Sequence, residues 1–274
     1  MDRYAVIGNP IAQSKSPLIH AAFAQAHGQS LDYTTLLAAP ETFDATVRDF
    51  IASGGRGLNV TAPFKLQAFR LADSVSERAR RAGAVNAMKF EDGRISADNF
   101  DGIGLVADIQ RNLGVTLAGK RILLLGAGGA TRGALLPFVD ERPALLAIAN
   151  RDPARAAQLV AEAAVAGGVV VVTGGYAEFE TQTFDVVVNA TSASLRGELP
   201  PLAPQVFGRD CLAYELVYGK GLTPFLRAAR EAGALRLADG VGMLVEQAAE
   251  AFAWWRGVRP HTRAMIERLT VPLA

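Results

Sequence analysis

Residues 123–131 read Leu123-Leu124-Leu125-Gly126-Ala127-Gly128-Gly129-Ala130-Thr131, an apolar run that ends in a glycine-rich turn. The run is typical of a buried strand, and the residues after it favour a helix at Gly128–Phe138. Glycines at such a turn let backbone amides approach a pyrophosphate at the helix N-terminus. Thr131 stands where the third glycine of the G-x-G-x-x-G pattern would be, so an ordinary glycine-rich turn is the alternative. The context of strand, turn and helix predicts a dinucleotide-binding unit.

Around this stretch the chain alternates short β-rich runs with helical segments, which predicts an α/β fold with largely parallel sheets. We predict two domains: an N-terminal α/β substrate domain formed by residues 1–103 and 240–274, and a Rossmann-type dinucleotide-binding domain at residues 104–239. The last predicted helix, Val241–Arg256, is expected to return to the first domain. The other segments of note are a hairpin at Ala87–Ser96, helices at Ser16–His27, Phe100–Leu113 and Pro153–Ala166, and a strand at Val169–Val172.

Composition narrows the class of protein. Half of the 274 residues are hydrophobic, a fifth are charged, and the net charge is +1, so we expect a globular protein that binds neither nucleic acid nor a membrane. Cys211 is the single cysteine, which fits a reducing compartment, and we expect the cytoplasm. The three histidines are scattered and make no metal-ligand spacing with this cysteine, so we predict no metal site.

The strand after the glycine turn ends in Asn150-Arg151-Asp152-Pro153-Ala154-Arg155. An NAD site usually places an acidic residue near this point, against the ribose 2′-hydroxyl. Arg151 and Arg155 suit a 2′-phosphate instead, because guanidinium groups are planar, always charged and donate in pairs. Asp152 would repel a phosphate, but Asp152-Pro153 is also a helix cap followed by proline at the first helical position. We therefore predict NADP; a solvated helix start is the alternative for both arginines.

Polar side chains recur where strands of the predicted sheets end. The carboxyl ends of strands in an open sheet share one crevice, so these groups are expected to meet there. Hydroxyls, amides and one lysine together suit a small, hydroxylated, anionic substrate; taken singly, each is more often a solvated, capping or turn residue. The residues concerned are Ser14, Ser16, Asn59, Thr61, Lys65, Asn86, Asn99 and Asp101, and, in the second domain, Asn189-Ala190-Thr191-Ser192.

These motifs, taken in order, resemble shikimate dehydrogenase over the whole chain. The matching segments are Gly8–Pro17, Asn59-Val60-Thr61-Ala62-Pro63-Phe64-Lys65, Gly83–Asn86, Asp98-Asn99-Phe100-Asp101-Gly102, the Gly126 turn, Asn189–Ser192 and Asp239–Gln247. Two positions depart from the family pattern, which commonly has threonine where Phe100 and Asp152 stand. The resemblance implies NADPH-dependent reduction of 3-dehydroshikimate to shikimate, within aromatic amino-acid biosynthesis.

The resemblance also implies a role for individual residues. Lys65 and Asp101 would be the catalytic pair. The substrate would be bound by Ser14, Ser16, Thr61, Lys65, Asn86, Asp101, Tyr218 and Gln247, with the serines towards its carboxylate. The cofactor would be bound by Gly126, Ala127, Gly128, Gly129, Ala130, Asn150, Arg151, Asp152, Pro153, Ala154, Arg155, Thr191, Leu216 and Gly240.

Several alternatives stay open at this point. A quinate or shikimate dehydrogenase of broader specificity would also use NAD, which Asp152 favours and the two arginines oppose. A folate-type dehydrogenase can use a lysine as well, although Ser14 and Ser16 fit a small carboxylate better. From another class, an NADP-binding regulator would have lost catalysis, yet Lys65 and Asp101 are both present. We expect the protein to be a monomer or a homodimer.

Overall fold

The computed structural model describes residues 1–163 and 168–273. They form two compact units, the first from residues 1–104 and 245–265 and the second from residues 105–244 and 266–274. Each unit contains one six-stranded sheet with helices packed against it. This confirms the predicted α/β class with two domains, one of them of the Rossmann type.

The first unit is built on a mixed sheet with strand order β2-β1-β3-β5-β6-β4. Its strands are β1 (Asp2–Gly8), β2 (Leu31–Leu37), β3 (Gly55–Val60), β4 (Ser74–Val75), β5 (Ala87–Glu91) and β6 (Arg94–Asp98). Its helices are α1 (Ser16–Ala26), α2 (Phe43–Ala52), α3 (Lys65–Leu71), α4 (Glu77–Ala82) and the start of α5 (Asp101–Ala107). Strand β1 is parallel to both β2 and β3, whereas the predicted hairpin, β5 and β6, enters antiparallel to β3.

The register of this sheet decides which polar residues can meet. Val6 of β1 pairs with Asn59, Asn59 pairs with Ala87, and Ala87 pairs with Asp98. Because β5 runs in the opposite direction, its first residue lies beside the last residues of β3 and β6. The segments that follow β1, β3 and β6, and the one that precedes β5, therefore share one edge of the sheet.

The second unit has an all-parallel sheet with strand order β12-β11-β10-β7-β8-β9. The strands are β7 (Arg121–Leu125), β8 (Leu145–Ala149), β9 (Val171–Gly174), β10 (Phe184–Asn189), β11 (Phe207–Glu215) and β12 (Arg236–Ala238). The helices are α6 (Gly129–Asp140), α7 (Pro153–Glu162), α8 (Pro224–Glu231), α9 (Val241–Arg256, shared with the first unit) and α10 (Arg263–Leu269). Strands such as Leu123–Leu125 are apolar at successive positions because both faces of this sheet are covered.

Several boundaries differ from those predicted. The segment expected as one helix at Phe100–Leu113 is α5 followed by a π-helical turn at Asp108–Asn112. The strand expected at Val169–Val172 lies at Val171–Gly174. The helix expected at Pro153–Ala166 is observed at Pro153–Glu162, and its predicted residues 164–166 lie outside the described part of the chain.

The C-terminal residues, 240–274, are assigned to the two units differently from the predicted domains. Residues 245–265 group with the first unit, whereas 240–244 and 266–274, expected there too, group with the second. Both segments contact the second unit. A Cβ at Gly242 would overlap the carboxylate of Asp108, so the Asp108 side chain lies directly against the Gly242 backbone, and Leu273 packs against the second unit's core. Over the described ranges, no helix is long and apolar enough to span a membrane.

Candidate functional site

Four of the residues predicted to bind substrate form one hydrogen-bonded cluster in the first unit. The Nζ of Lys65, at the start of α3, donates to Oδ2 of Asp101 in an ion pair. The Nδ2 of Asn86 donates to Oδ1 of Asp101 over 2.8 Å and to Oε1 of Gln247 over 3.2 Å. Asn86, Asp101 and Gln247 are buried, and the Lys65 side chain keeps 25% of its surface exposed. The lysine thus lies at the solvent side of a polar cluster whose other members are fixed.

The short segment between β6 and α5 holds Asp101 in place. The backbone N–H of Asp101 donates to Oδ1 of Asn99 over 3.1 Å, and that of Phe100 donates to Oδ1 of Asn86 over 2.8 Å. Asp98 receives a hydrogen bond of 2.7 Å from the Arg78 guanidinium, which also lies 5.1 Å from the Phe100 ring centroid. The sequence did not indicate the Arg78–Asp98 pair, because charged side chains such as that of Arg78 in α4 usually face solvent.

The two serines lie together at the neighbouring strand end. The backbone N–H of Ser16 donates to Oγ of Ser14 over 3.3 Å. The loop that carries them is tied to the loop after β3, since the Asn9 N–H donates to the carbonyl of Ala62 over 3.1 Å. Thr61 is half-buried, and its methyl group packs against Gly8, where a Cβ would not fit. These residues follow β1 and β3 at the same sheet edge as the Lys65 cluster.

Asn59 opens the lysine-bearing motif but has a structural role instead. Its side chain is buried, its Oδ1 accepts a 2.6 Å hydrogen bond from the Tyr33 hydroxyl, and its Nδ2 donates to the carbonyl of Asn86. The expectation that Asn59 joins the crevice-lining groups is therefore wrong. Its amide is used to tie β3 to β2 and to the segment before β5, because a buried amide must find partners inside the protein.

The second unit contains a cavity of about 530 Å³ that begins at the glycine turn. Its lining includes Gly126, Gly128, Thr191 and Tyr176. Gly126 has φ +100°, a conformation that favours glycine, and a Cβ there would come within 3.1 Å of the Thr191 methyl. Cβ atoms at Gly128 and Gly129 would meet nothing within 4 Å, so the backbone at the start of α6 is open to a ligand. A cradle of this kind, at the N-terminus of a twelve-residue helix, fits a pyrophosphate.

Asn150, Arg151 and Arg155, which the sequence predicted to bind the cofactor, line the same cavity. Asp152 does not add a free carboxylate to it in the way that the sequence allowed. Its Oδ1 accepts from the Ala154 N–H over 3.1 Å, and Pro153 follows at the first position of α7. The carboxylate is thus engaged as a helix cap, which leaves the two exposed guanidinium groups to face an anion.

Two charged residues of the cavity were not predicted. Arg196 and Glu198 line it from the loop that follows Asn189–Ser192. They form a bidentate ion pair with N–O distances of 2.7 and 3.0 Å. The Glu198 pKa is lowered by this pair and further by Arg151. The only signal in the sequence was their proximity to the Asn189 strand end.

The remaining predicted residues lie after β11 and before α9. A Cβ at Gly240 would overlap the carbonyl oxygen of Leu216, so these two residues of the predicted cofactor set are in contact. Tyr218, predicted to bind substrate, belongs to the second unit and is half-buried, and burial raises the pKa of its hydroxyl. The described residues contain no group of three or more histidine, cysteine, aspartate and glutamate side chains able to hold a metal ion.

The two clusters define what the chain can do chemically. The first unit offers a partly exposed lysine paired to a carboxylate, a combination that suits proton transfer to or from a substrate oxygen. The second offers a glycine-lined cavity with the exposed side chains of Arg151 and Arg155 at one end, which suits a dinucleotide carrying an extra phosphate.

Comparison with known proteins agrees with both clusters. Family models match at residues 6–88 (shikimate dehydrogenase substrate binding domain), 108–196 (shikimate / quinate 5-dehydrogenase) and 240–270 (shikimate 5'-dehydrogenase C-terminal domain). A shikimate dehydrogenase (NADP(+)) from Nitrosomonas europaea is 53% identical over 98% of this chain and 97% of its own length.

Two solved structures share the complete fold. An Ael1 enzyme from Pseudomonas putida is 61% identical, with a TM-score of 0.94 and complete coverage of both chains. A shikimate 5-dehydrogenase from Thermus thermophilus, solved with NADP(H) and shikimate, is 31% identical, with a TM-score of 0.86 and 97% and 98% of the two chains covered. On the family models, the full-length identity and the shared fold, the chain belongs to the shikimate dehydrogenase family.

Proposed function

We propose that this protein is an NADP-dependent shikimate dehydrogenase, which reversibly reduces 3-dehydroshikimate to shikimate in the pathway to chorismate and the aromatic amino acids. The observation that carries the proposal is the Lys65–Asp101 pair, which is hydrogen-bonded to Asn86 and through it to Gln247. The curated relatives have this name, and the related Thermus structure contains both NADP(H) and shikimate.

In this proposal Lys65 transfers the proton to and from the substrate oxygen. NADPH, when bound, supplies the hydride to the ketone carbon. As negative charge develops on the ketone oxygen, the Lys65 ammonium stabilises it and donates a proton; in the reverse direction the amine accepts the proton from the hydroxyl. Asp101 holds the ammonium in position through Oδ2 and is itself fixed by Asn86 at Oδ1. The lysine then regains its proton from solvent, to which it remains partly exposed.

The other predicted residues position the two ligands. Ser14 and Ser16 would receive the substrate carboxylate, and Thr61, Asn86, Tyr218 and Gln247 its hydroxyl groups. The glycine turn at Gly126–Ala130 would hold the pyrophosphate, while Asn150, Arg151 and Arg155 would bind the ribose 2′-phosphate. Thr191, Leu216 and Gly240 would bind the rest of the cofactor. We also propose that the protein is cytoplasmic, with which the buried thiol of Cys211 is compatible. It would be a monomer or a homodimer, two states that sedimentation distinguishes.

A second candidate is a quinate/shikimate dehydrogenase that also uses NAD, because one family model that matches includes quinate enzymes. The test is NADP reduction followed at 340 nm, with shikimate or quinate as substrate and NADP or NAD as cofactor. The proposal requires the largest kcat/KM for shikimate with NADP. Equal kcat/KM values with quinate or NAD would favour the second candidate. NADP binding without turnover of any pair would favour a regulator.

A further inference from the structure

A buried carboxylate lies next to residues 189–194 of the second unit, and the reaction proposed above does not use it. Glu215, the last residue of β11, is fully buried. Strand β11 is otherwise apolar towards its end, so an acidic residue at this position needs an explanation.

Glu215 is satisfied by donors from three separate segments. Its Oε2 accepts from the Ser194 hydroxyl over 2.5 Å, from the Asn189 amide over 3.1 Å and from the Thr223 hydroxyl over 3.1 Å. Its Oε1 accepts from the Val217 N–H over 3.4 Å. In the described part of the chain these donors are all neutral groups. Burial raises the pKa of the carboxyl, and the donated hydrogen bonds oppose that rise.

Two of these donors belong to the loop that lines the cofactor cavity. Asn189 precedes Ala190, Thr191 and Ser192, which all line it, and Ser194 belongs to the helical turn that follows. The Asn189 side chain also links Glu215 to Thr191, since its Oδ1 accepts hydrogen bonds from both the N–H (3.1 Å) and the hydroxyl (2.7 Å) of Thr191.

The charge state of Glu215 sets the orientation of this amide. A carboxylate accepts hydrogen bonds and donates none, so Asn189 must turn its NH₂ group towards Glu215. Its oxygen is then left to hold Thr191, which packs beside the Gly126 turn. The substitution Glu215→Gln would bring a second NH₂ group towards the same donors, and at least one of these hydrogen bonds would be lost.

We infer that Glu215 is a positioning residue for NADP: acting through Asn189 and Ser194, it holds the loop 189–194 in the conformation that binds the cofactor. The inference rests on the proposed function, because it takes Thr191 as a cofactor-binding residue. Thr223, the third side-chain donor, caps α8 through the Leu226 N–H and lies outside the cavity lining.

This difference between the donors supplies a matched pair of variants. Ser194→Ala and Thr223→Val each remove one hydroxyl from the same carboxylate oxygen, but only the first belongs to the cavity loop. The experiment measures the equilibrium Kd of NADP⁺ by titration calorimetry, together with kcat and the KM for shikimate. Circular dichroism and the melting temperature of the cofactor-free protein monitor the fold.

We expect Glu215→Gln to raise the Kd of NADP⁺ by about 10-fold or more, since a hydrogen bond to a buried charged group is worth roughly that factor. Ser194→Ala should raise it by about 3- to 10-fold and Thr223→Val by less than about 2-fold, although both lower the melting temperature. The KM for shikimate and the kcat at saturating NADP should stay within about 3-fold in all three variants, as expected for a residue that acts only on cofactor binding.

The inference is overturned if Ser194→Ala binds NADP⁺ as tightly as the unmodified protein, or if Thr223→Val weakens binding equally, since the effect would then be general destabilisation. This comparison stands even where Glu215→Gln fails to fold. An unmodified protein that binds no NADP⁺ would instead contradict the proposed function, and the two failures are therefore distinguishable.

Discussion

At the residue scale, we propose that the preference for NADP depends on the exposed side chains of Arg151 and Arg155. Arg151 lines the cavity, and Asp152 beside it is engaged by the α7 cap. We predict that Arg151→Ala lowers kcat/KM for NADP by roughly 10- to 100-fold, because a charge-assisted hydrogen bond to phosphate contributes about 1.5–3 kcal/mol. The value for NAD should change by less than about 3-fold, since NAD has no 2′-phosphate for the guanidinium to bind. Equal losses with both cofactors would show that Arg151 does not bind the phosphate.

His20 in α1 shows how a buried titratable residue links pH to stability. The ring stacks on Tyr33 with centroids 4.3 Å apart, and neither nitrogen has a hydrogen-bond partner among the described residues. Burial lowers its pKa to about 3, and the nearby Asn59 side chain only partly offsets this. An unfolded histidine has a pKa of about 6.5, so protons bind preferentially to the unfolded chain below that pH. The stability that neutral His20 provides is therefore present above pH 6.5 and is lost as the pH falls towards 3.

We predict that His20→Phe removes this acid sensitivity. Between pH 7 and pH 5, the free energy of unfolding of the unmodified protein should fall by about 2 kcal/mol more than that of the variant. Urea unfolding followed by circular dichroism at both pH values measures the difference. His261→Ala, at a solvent-exposed position, is the control and should keep the original pH dependence. A difference between the His20 variant and the unmodified protein that is the same at pH 5 and pH 7 would disprove the explanation.

At the scale of elements, the turn between β7 and α6 requires glycine at position 126 for two separate reasons. Gly126 has φ +100°, and a Cβ there would also press on the Thr191 methyl at 3.1 Å. Gly233, in the turn after α8, has a similar φ of +95° but no atom within 4 Å of the added Cβ. Alanine at either position therefore costs about 1 kcal/mol or more of folding free energy, because both have a positive φ. Only at Gly126 would the added Cβ also contact Thr191.

We predict that Gly126→Ala raises the Kd of NADP⁺ by at least about 10-fold, because it displaces Thr191 and the amides of the turn. Gly233→Ala should lower the melting temperature by a similar amount and leave the Kd unchanged. Calorimetric titration of both variants makes the comparison. Should the two variants bind NADP⁺ equally well, the turn would not be the pyrophosphate site.

The elements also show how far sequence reasoning reaches. Strands with strong apolar runs, such as β7, and helices with clear start signals, such as α1 and α7, were predicted within a few residues. The π-helical turn at Asp108–Asn112 was predicted only as the continuation of one long helix at Phe100–Leu113. Helix α4 was also missed, since a short, arginine-rich segment has little hydrophobic periodicity.

The candidate site likewise contains residues that the sequence could predict and residues that it could not. Residues at strand ends, such as Lys65, Asn86 and Asp101, could be predicted because strand ends meet at one sheet edge. Asn59 occupies the same kind of position, yet its amide turns inwards to Tyr33, and alternation along a strand could not reveal that partner. The role of Glu215 could not be predicted either. It ends an apolar strand, and the side chains that donate hydrogen bonds to it come from distant parts of the chain.

At the scale of the whole molecule, the single cysteine reports on the integrity of the second unit. Cys211 lies within β11 and is buried, and burial raises the pKa of its thiol to about 12. Because the thiolate is the reactive form, we predict that a disulfide reagent at pH 8 leaves the folded protein unmodified over minutes. In concentrated guanidinium chloride one thiol per chain should react at once. Rapid stoichiometric reaction of the folded protein would mean that β11 opens readily to solvent.

We propose that Lys65, paired with Asp101, transfers the proton in an NADP-dependent oxidation of shikimate. The most direct measurement compares NADP reduction at 340 nm by the unmodified protein and by Lys65→Ala, with the Kd of NADP⁺ determined for both. We predict turnover of shikimate by the unmodified protein, a fall in kcat of roughly 10²- to 10⁴-fold in the variant, and an unchanged Kd, because the lysine acts on the proton and not on the cofactor. A variant with undiminished kcat, or an unmodified protein that binds NADP⁺ without oxidising shikimate, would contradict this role of Lys65.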